Sequence, residues 1–341
     1  MPATYDGEML TSGTNVVIGA SGFLGAHVVA DLVGRGQKVR AVVRETSDTR
    51  GIDGLDIERV TGDIFDVESI RAAIRGADVV YYCVVDARPW LRDSTPMWRT
   101  NVDGLRGVLD VVAEADLDRF VFTSSVVTIG IPESGLATEE MQNNWARKGG
   151  EYARTRVAAE DLVMSYARTK GLPAVAMCVA NTYGAGDYLP TPHGGMVKAA
   201  VRGKMPFYVK GIGAEVVGID DAARAMTLAG TRGRIGERYI VAERFMSPRE
   251  IFAVACGAVG VEPPARAMSR QALTRMAVLS SLGARLRRTD ALLTPTTVRL
   301  MHLMPAMDHG KATRELGWNP SPTPDAIAEA ARFFAADRRR R

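Results

Sequence analysis

Three side chains stand in an order and at spacings that suit proton transfer at a carbonyl or carbinol oxygen: Ser125, Tyr152 and Arg156. Tyr152 and Arg156 are four residues apart, so a helix would carry both on one face, and a cation beside a phenol favours the phenolate. A phenol so tuned gives or takes a proton while a hydride moves to or from a nicotinamide, and Ser125 would hold the reacting oxygen. Such chemistry needs a coenzyme site. The run Val16-Val17-Ile18-Gly19-Ala20-Ser21-Gly22-Phe23-Leu24-Gly25 has the pattern of one. An apolar strand stops at Gly19, which allows a tight turn. Gly22 lets backbone amides close on a pyrophosphate at a helix N-terminus, and Gly25 lets that helix pack close to the strand. Ser21, Phe23 and Leu24 belong to the same loop and helix start.

The elements that must position these groups follow from periodicity. Residues 26–34 carry apolar positions at helical spacing (Val28, Val29, Leu32, Val33), Gly36 breaks the helix, and residues 39–43 read as a second strand. That completes a βαβ unit of about 30 residues. The second strand ends at Arg44, where an NAD-selective site carries an acid for the ribose diol. A guanidinium there suits a 2′-phosphate, so NADP (as NADPH when reduced) is expected rather than NAD. Residues 58–64 read as a short strand ending in a polar turn, and residues 79–85 as a strand buried on both faces. A helix over about 98–115, a strand over 119–125, a helix over about 152–170 and a strand over 174–179 follow. This alternation predicts an α/β fold, a doubly wound parallel Rossmann sheet.

Beyond Asn181 the pattern loosens into loops rich in Pro and Gly, with short elements at 216–219 and 238–241. These pieces, and the Leu-, Met- and Arg-rich stretch 271–307, predict a smaller interleaved substrate-binding cap over the carboxyl ends of the strands. The expected division is a flexible tail over 1–13, a coenzyme domain over 14–182 with returning pieces at about 214–243 and 308–335, and a cap over 183–213 and 244–307. Arg275, Arg285, Arg287, Arg288 and Arg299 are compatible with a membrane-surface helix, but the reading taken is the solvated face of a core-packed helix pair.

A chain of 341 residues, 46% hydrophobic and 24% charged, can bury a large core. Its net charge of +4 is accounted for by the closing run Arg338 to Arg341, a solvated end without the interleaved aromatics of a nucleic-acid site. Cys83, Cys178 and Cys256 lie in apolar runs and read as small buried hydrophobes, and no cluster has metal-ligand spacing, so no metal is expected. Residues 1–13 lack a signal-peptide pattern, and no window long enough to cross a bilayer is free of charge. A cytoplasmic protein without stable membrane insertion is expected.

The chain resembles the extended short-chain dehydrogenase/reductases, also called the NAD-dependent epimerase/dehydratase family, over about residues 15–334. Within them it is similar to the dihydroflavonol-4-reductase-like branch and to proteins labelled hopanoid-associated sugar epimerases. The glycine loop, residues 39–44, Gly62-Asp63-Ile64, Asn101-Val102-Asp103-Gly104, Phe122-Thr123-Ser124-Ser125, Leu189-Pro190-Thr191-Pro192, Gly203-Lys204-Met205-Pro206, Lys311-Ala312 and Leu316-Gly317-Trp318 carry the resemblance. It implies that Asp63 meets the adenine amino group and Arg44 the 2′-phosphate, that Ile64 and Val84 belong to the coenzyme site, and that the protein is a homodimer through the helices at about 98–115 and 152–170. The family's Tyr-x-x-x-Lys is here Tyr152-Ala153-Arg154-Thr155-Arg156, and an arginine holds ribose hydroxyls but cannot relay a proton as a lysine does.

Tyr166 and Lys170 also satisfy that spacing, but Tyr166 lies 41 residues beyond Ser125 whereas Tyr152 lies 27 beyond, in keeping with the family. Asp86 and Trp90, after the fourth strand, and Asn181 and His193 are the candidate substrate contacts. The function expected is interconversion of a ketone or aldehyde and an alcohol on a small, partly apolar substrate, steroid-, terpenoid- or flavonoid-like. The apolar, Met-rich cap favours this over a sugar or nucleotide-sugar epimerase, which would want a basic clamp for a diphosphate. A non-catalytic NADP-binding sensor is the third reading, because of Arg156.

Overall fold

The computed structural model describes residues 13–287 and 289–336. The expected tail up to residue 12, Arg288 and the closing arginine run lie outside the described residues. The first half of the chain forms β1 (Thr14–Ile18), α1 (Phe23–Gly34), β2 (Lys38–Val43), β3 (Glu58–Thr61), α2 (Val67–Ala73), β4 (Ala77–Tyr82), α3 (Thr95–Trp98), α4 (Leu105–Val112), β5 (Arg119–Ser125), α5 (Ala146–Lys170) and β6 (Ala174–Val179). The second half forms β7 (Asn181–Tyr183), α6 (Pro192–Val201), β8 (Tyr208–Val209), β9 (Ala214–Gly218), α7 (Ile219–Arg232), β10 (Arg238–Val241), β11 (Arg244–Met246), α8 (Pro248–Gly257), β12 (Ala267–Met268), α9 (Arg270–Arg287), α10 (Pro295–Met301), α11 (Gly310–Leu316) and α12 (Thr323–Ala336).

Seven strands make one sheet in the order β10-β6-β5-β4-β1-β2-β3, and every pairing is parallel. This is the doubly wound Rossmann sheet that the alternation predicts. Successive side chains of a strand face opposite ways, so each strand feeds two cores. Val17, Tyr81, Val121 and Met177 pack with Val28, Val29 and Leu32 of α1 and with Ala222, Met226 and Ala229 of α7. Val16, Val80, Phe120 and Ala176 pack on the other face with Ile70, Leu105, Leu109 and Val163. Because β1 lies between β2 and β4, the strand order reverses there, and a crevice opens at the carboxyl ends of these strands.

Two helices differ from expectation where the site is built. The helical segment expected from about residue 98 begins at Thr95, with Pro96 in its first turn. It widens into a π-helical stretch over Arg99–Gly104 before α4, and this stretch carries the buried Asn101. The second helix starts six residues early, at Ala146, because the Asn143 carboxamide accepts the Trp145 and Ala146 amides at 3.0 and 2.6 Å. Gly150 breaks its first turn with φ +82, and a Cβ there would stand 2.3 Å from Thr296 Cγ2. Tyr152 therefore follows a kink that only glycine accommodates. The helix stops at Gly171 in the left-handed conformation.

Around this core lie a three-stranded sheet, β11-β9-β7, and a two-stranded one, β12-β8. Helices α6, α8 and α12 share one apolar cluster that includes Val197, Phe252 and Phe334. Leu273 and Ala277 of α9 pack against Val298 of α10 in another. The 308–335 segment is thus divided, since Ala312 and Leu316 of α11 join the sheet core whereas α12 joins α6 and α8. Among the described residues no helix is long and apolar enough to cross a membrane. Cys178 and Cys256 are buried, but Cys83 is only half-buried, because it stands just past β4 where the crevice opens.

Candidate active site

The glycine loop is a backbone cradle. Gly19 takes φ +85, and a Cβ there would stand 2.9 Å from Val84 Cγ2 and 3.1 Å from the carbonyl carbon of Cys83. Gly22 donates its N–H to the Gly19 carbonyl at 3.0 Å and begins α1 in extended conformation, with no side chain capping the helix and no acid in the first turn. The first amides of α1 are thus left for an anion, at the positive end of the helix dipole. A Cβ on Gly25 would fall 2.2 Å from the Gly19 oxygen, so the helix approaches the turn as closely as only glycine allows. Ser21 and the beginning of α1, Phe23 and Leu24, are half-buried around the exposed Gly22. These observations fit a coenzyme pyrophosphate.

The adjacent strand ends complete the groove. Arg44 follows β2 directly, is exposed, and has no carboxylate partner among the described residues. Its amide is tied to Ser47 Oγ at 3.1 Å, which fixes the backbone and leaves the guanidinium free. Asp63 is half-buried, and one of its carboxylate oxygens accepts the Phe65 amide at 3.0 Å. Ile64 is buried beside it, and Val84 stands against Gly19.

Ser125 and Tyr152 are linked through Val127. Ser125 Oγ accepts the Val127 amide at 3.4 Å, which leaves its own proton for a ligand. Val127 packs in one cluster with Tyr152, Trp145, Ile131 and, from α10 and the chain just beyond it, Leu300, Leu303 and Met304. The half-buried Tyr152 hydroxyl has no hydrogen-bond partner among the described residues. Arg156 differs from the expectation of a cation paired with the phenol. It is 1% exposed, donates from Nη2 to the Thr123 carbonyl at 2.5 Å and stacks on Phe122 with its carbon 5.3 Å from the ring centre. Its Nε is buried without a partner, so donors remain for ribose hydroxyls. One turn on, buried Glu160 accepts from Ser124 Oγ and from Thr128 Oγ1 at 2.8 Å, and pairs with Arg238 at 2.7 Å. These bonds brace the end of β5. Tyr166 and Lys170 both bind Asp110, at 2.6 and 3.1 Å, a structural tie to α4.

The substrate candidates are dispersed along the rim. Asp86 is buried and forms a bidentate pair with Arg88, with contacts of 2.7 and 2.5 Å. Trp90 is half-buried in the loop beyond, and Asn181 is half-buried at the start of β7. His193 stacks edge-on against Tyr183 at 5.2 Å, and its Nε2 is enclosed without a partner. Burial holds this imidazole down to about 4, so it is neutral at physiological pH. Two positioning residues were given no role by the sequence, although Asn101 stands in one of the motifs that carry the resemblance. Asn101 exchanges hydrogen bonds with the Asp86 backbone at 2.8 and 3.0 Å and reaches Thr155 Oγ1 at 3.2 Å, which locks the β4 exit to α5. Buried Asp187 accepts the Thr191 amide and hydroxyl at 2.9 Å and so shapes the loop that presents His193. Cavities of about 400 and 270 Å³ lie elsewhere, lined in part by Phe207 and Arg266 and by His27 and Asp220.

Comparison with known proteins agrees with this geometry. Residues 15–242 match the NAD dependent epimerase/dehydratase family. Sterol demethylase protein B of Methylococcus capsulatus is 31% identical over 94% of this chain and 98% of its own length. A Synechocystis protein whose name places it with dihydroflavonol 4-reductases is 29% identical over 93% of each chain. The crystal structure of gox2253 superposes with a TM-score of 0.84 at 31% identity, covering 96% of this chain and 99% of its own. The glycine cradle, the seven-stranded parallel sheet and these matches make the chain a member of the NAD dependent epimerase/dehydratase family, the extended short-chain dehydrogenase/reductases.

Proposed function

We propose that the chain is an NADP-dependent oxidoreductase that interconverts a ketone or aldehyde and an alcohol on a small, partly apolar molecule. The apolar cluster that Tyr152 shares with Val127, Ile131, Leu300, Leu303 and Met304 carries this reading, since it offers an apolar molecule a surface beside the phenol. The name of the sterol-linked relative supports an apolar substrate. The free guanidinium of Arg44 at the end of β2 supports NADP over NAD. In this reading Gly19, Gly22 and Gly25 hold the pyrophosphate, Asp63 the adenine and Arg156 the ribose. The bound coenzyme supplies or receives the hydride. Ser125 Oγ donates a hydrogen bond to the substrate oxygen, and the Tyr152 hydroxyl delivers a proton to that oxygen on reduction or removes it on oxidation.

The test follows coenzyme oxidation and product together, with NADPH and a panel of sterol-like, terpenoid and nucleotide-sugar ketones. NADPH should be consumed in step with alcohol formation. In Tyr152→Phe the rate should fall at least about a hundredfold with coenzyme affinity retained. Product without net coenzyme change would make the protein an epimerase, and binding without product would make it a sensor.

A further inference from the structure

Helix α9 buries one face and leaves an apolar ridge on the other. Leu273 and Ala277 are buried against α10, whereas Leu279, Leu282 and Leu286 are 70%, 54% and 87% exposed. Their spacing of three and four residues puts them on one side of the helix, opposite the packed face, and Arg275 stands on that side one turn before Leu279. Leu292, just past the helix, is 71% exposed. A core-packed pair with a merely solvated outer face accounts for the arginines but not for these leucines.

The charge around the ridge is of one sign. Between Glu262 and Asp290 the sequence has six arginines (Arg266, Arg270, Arg275, Arg285, Arg287 and Arg288) and no carboxylate. Of these, the five that are described are exposed, and none pairs with a carboxylate among the described residues. Leucines flanked by unpaired arginines are the pattern of a helix that lies on a membrane with its apolar side in the acyl boundary and its cations among anionic headgroups. We propose that the outer face of α9 docks on the surface of a bilayer containing anionic phospholipid. The placement suits the proposed function, and rests on it to that extent, because a short connection leads from α9 to α10, whose Leu300 shares an apolar cluster with Tyr152. Arg92, in the loop after β4, donates its amide to Asp290 at 3.0 Å in the connection between α9 and α10.

Flotation of the full chain with vesicles of phosphatidylcholine alone, or mixed in equal parts with phosphatidylglycerol, tests the proposal. The protein should float with the anionic vesicles only, and added salt should release it. Replacing Arg275, Arg285 and Arg287 by Gln should weaken partitioning roughly a hundredfold. Leu279→Ser, Leu282→Ser and Leu286→Ser together should abolish it, with unchanged circular dichroism and melting as the control for folding. These arms need no turnover, so they stand or fall apart from the proposed reaction. Equal flotation with neutral vesicles, or no flotation with either, would overturn the proposal. So would self-association that the leucine variant abolishes without any vesicle binding, since the ridge would then be an interface between copies.

Discussion

Arg156 is a cation held almost entirely out of water, without a carboxylate partner among the described residues. One carbonyl bond and the face of Phe122 compensate only part of its lost hydration, and its Nε is unsatisfied. Arg156 lacks the amine by which a lysine would relay a proton. In the function proposed above its role is to position coenzyme ribose beside Tyr152. This separates stability from activity. Arg156→Met should melt at the same or a higher temperature, by up to about 2 kcal/mol of added stability, while NADPH affinity and turnover each fall by roughly tenfold or more. Calorimetric melting and titration of the same variant measure both. Lower stability with unchanged turnover would make Arg156 a packing residue.

At the scale of elements, the kink at Gly150 governs how α5 presents Tyr152. An alanine there needs φ near +82 and puts its Cβ 2.3 Å from Thr296 Cγ2, so Thr296 must turn away or α5 and α10 must separate. Gly150→Ala should destabilise by about 1 to 3 kcal/mol and lower kcat more than coenzyme affinity. Thr296→Ser removes the clashing methyl, so the double variant should recover part of the loss, and a double-mutant cycle would read a coupling of at least about 0.5 kcal/mol. This contact also shows where sequence reading stops. The glycine loop, Arg44 and the strands buried on both faces were legible because their signals lie within a few consecutive residues. The apolar cluster that Tyr152 shares with Leu300 and Met304, and the Asn101 to Thr155 bond, join residues about 150 and 54 positions apart, which no local period reports. The early start of α5 was hidden because Asn143, three residues before it, acts through its side chain.

At the scale of the whole molecule, strand β9 is tied to the segment before α11 by a group that responds to pH. Glu215 of β9 is buried and accepts the Met307 amide at 2.8 Å, and burial pushes its carboxyl from 4.5 up to about 7. The folded protein keeps this proton to higher pH than the unfolded chain, so the native state binds more protons between about 4.5 and 7, and stability falls as pH rises through that window. The loss is on the order of 3 kcal/mol. Glu215→Gln should flatten this part of the pH profile of Tm and melt higher than the native protein above neutral pH. An unchanged slope would show that Glu215 titrates normally.

The proposed grip of the glycine cradle and Arg44 on a phosphorylated nicotinamide coenzyme is measured by titration calorimetry. NADPH should bind saturably at one site per chain, and NADH at least about tenfold more weakly. In Arg44→Asp that preference should disappear. Equal affinity for the two coenzymes in the native protein would contradict the assignment of Arg44, and no heat with either would contradict the account as a whole.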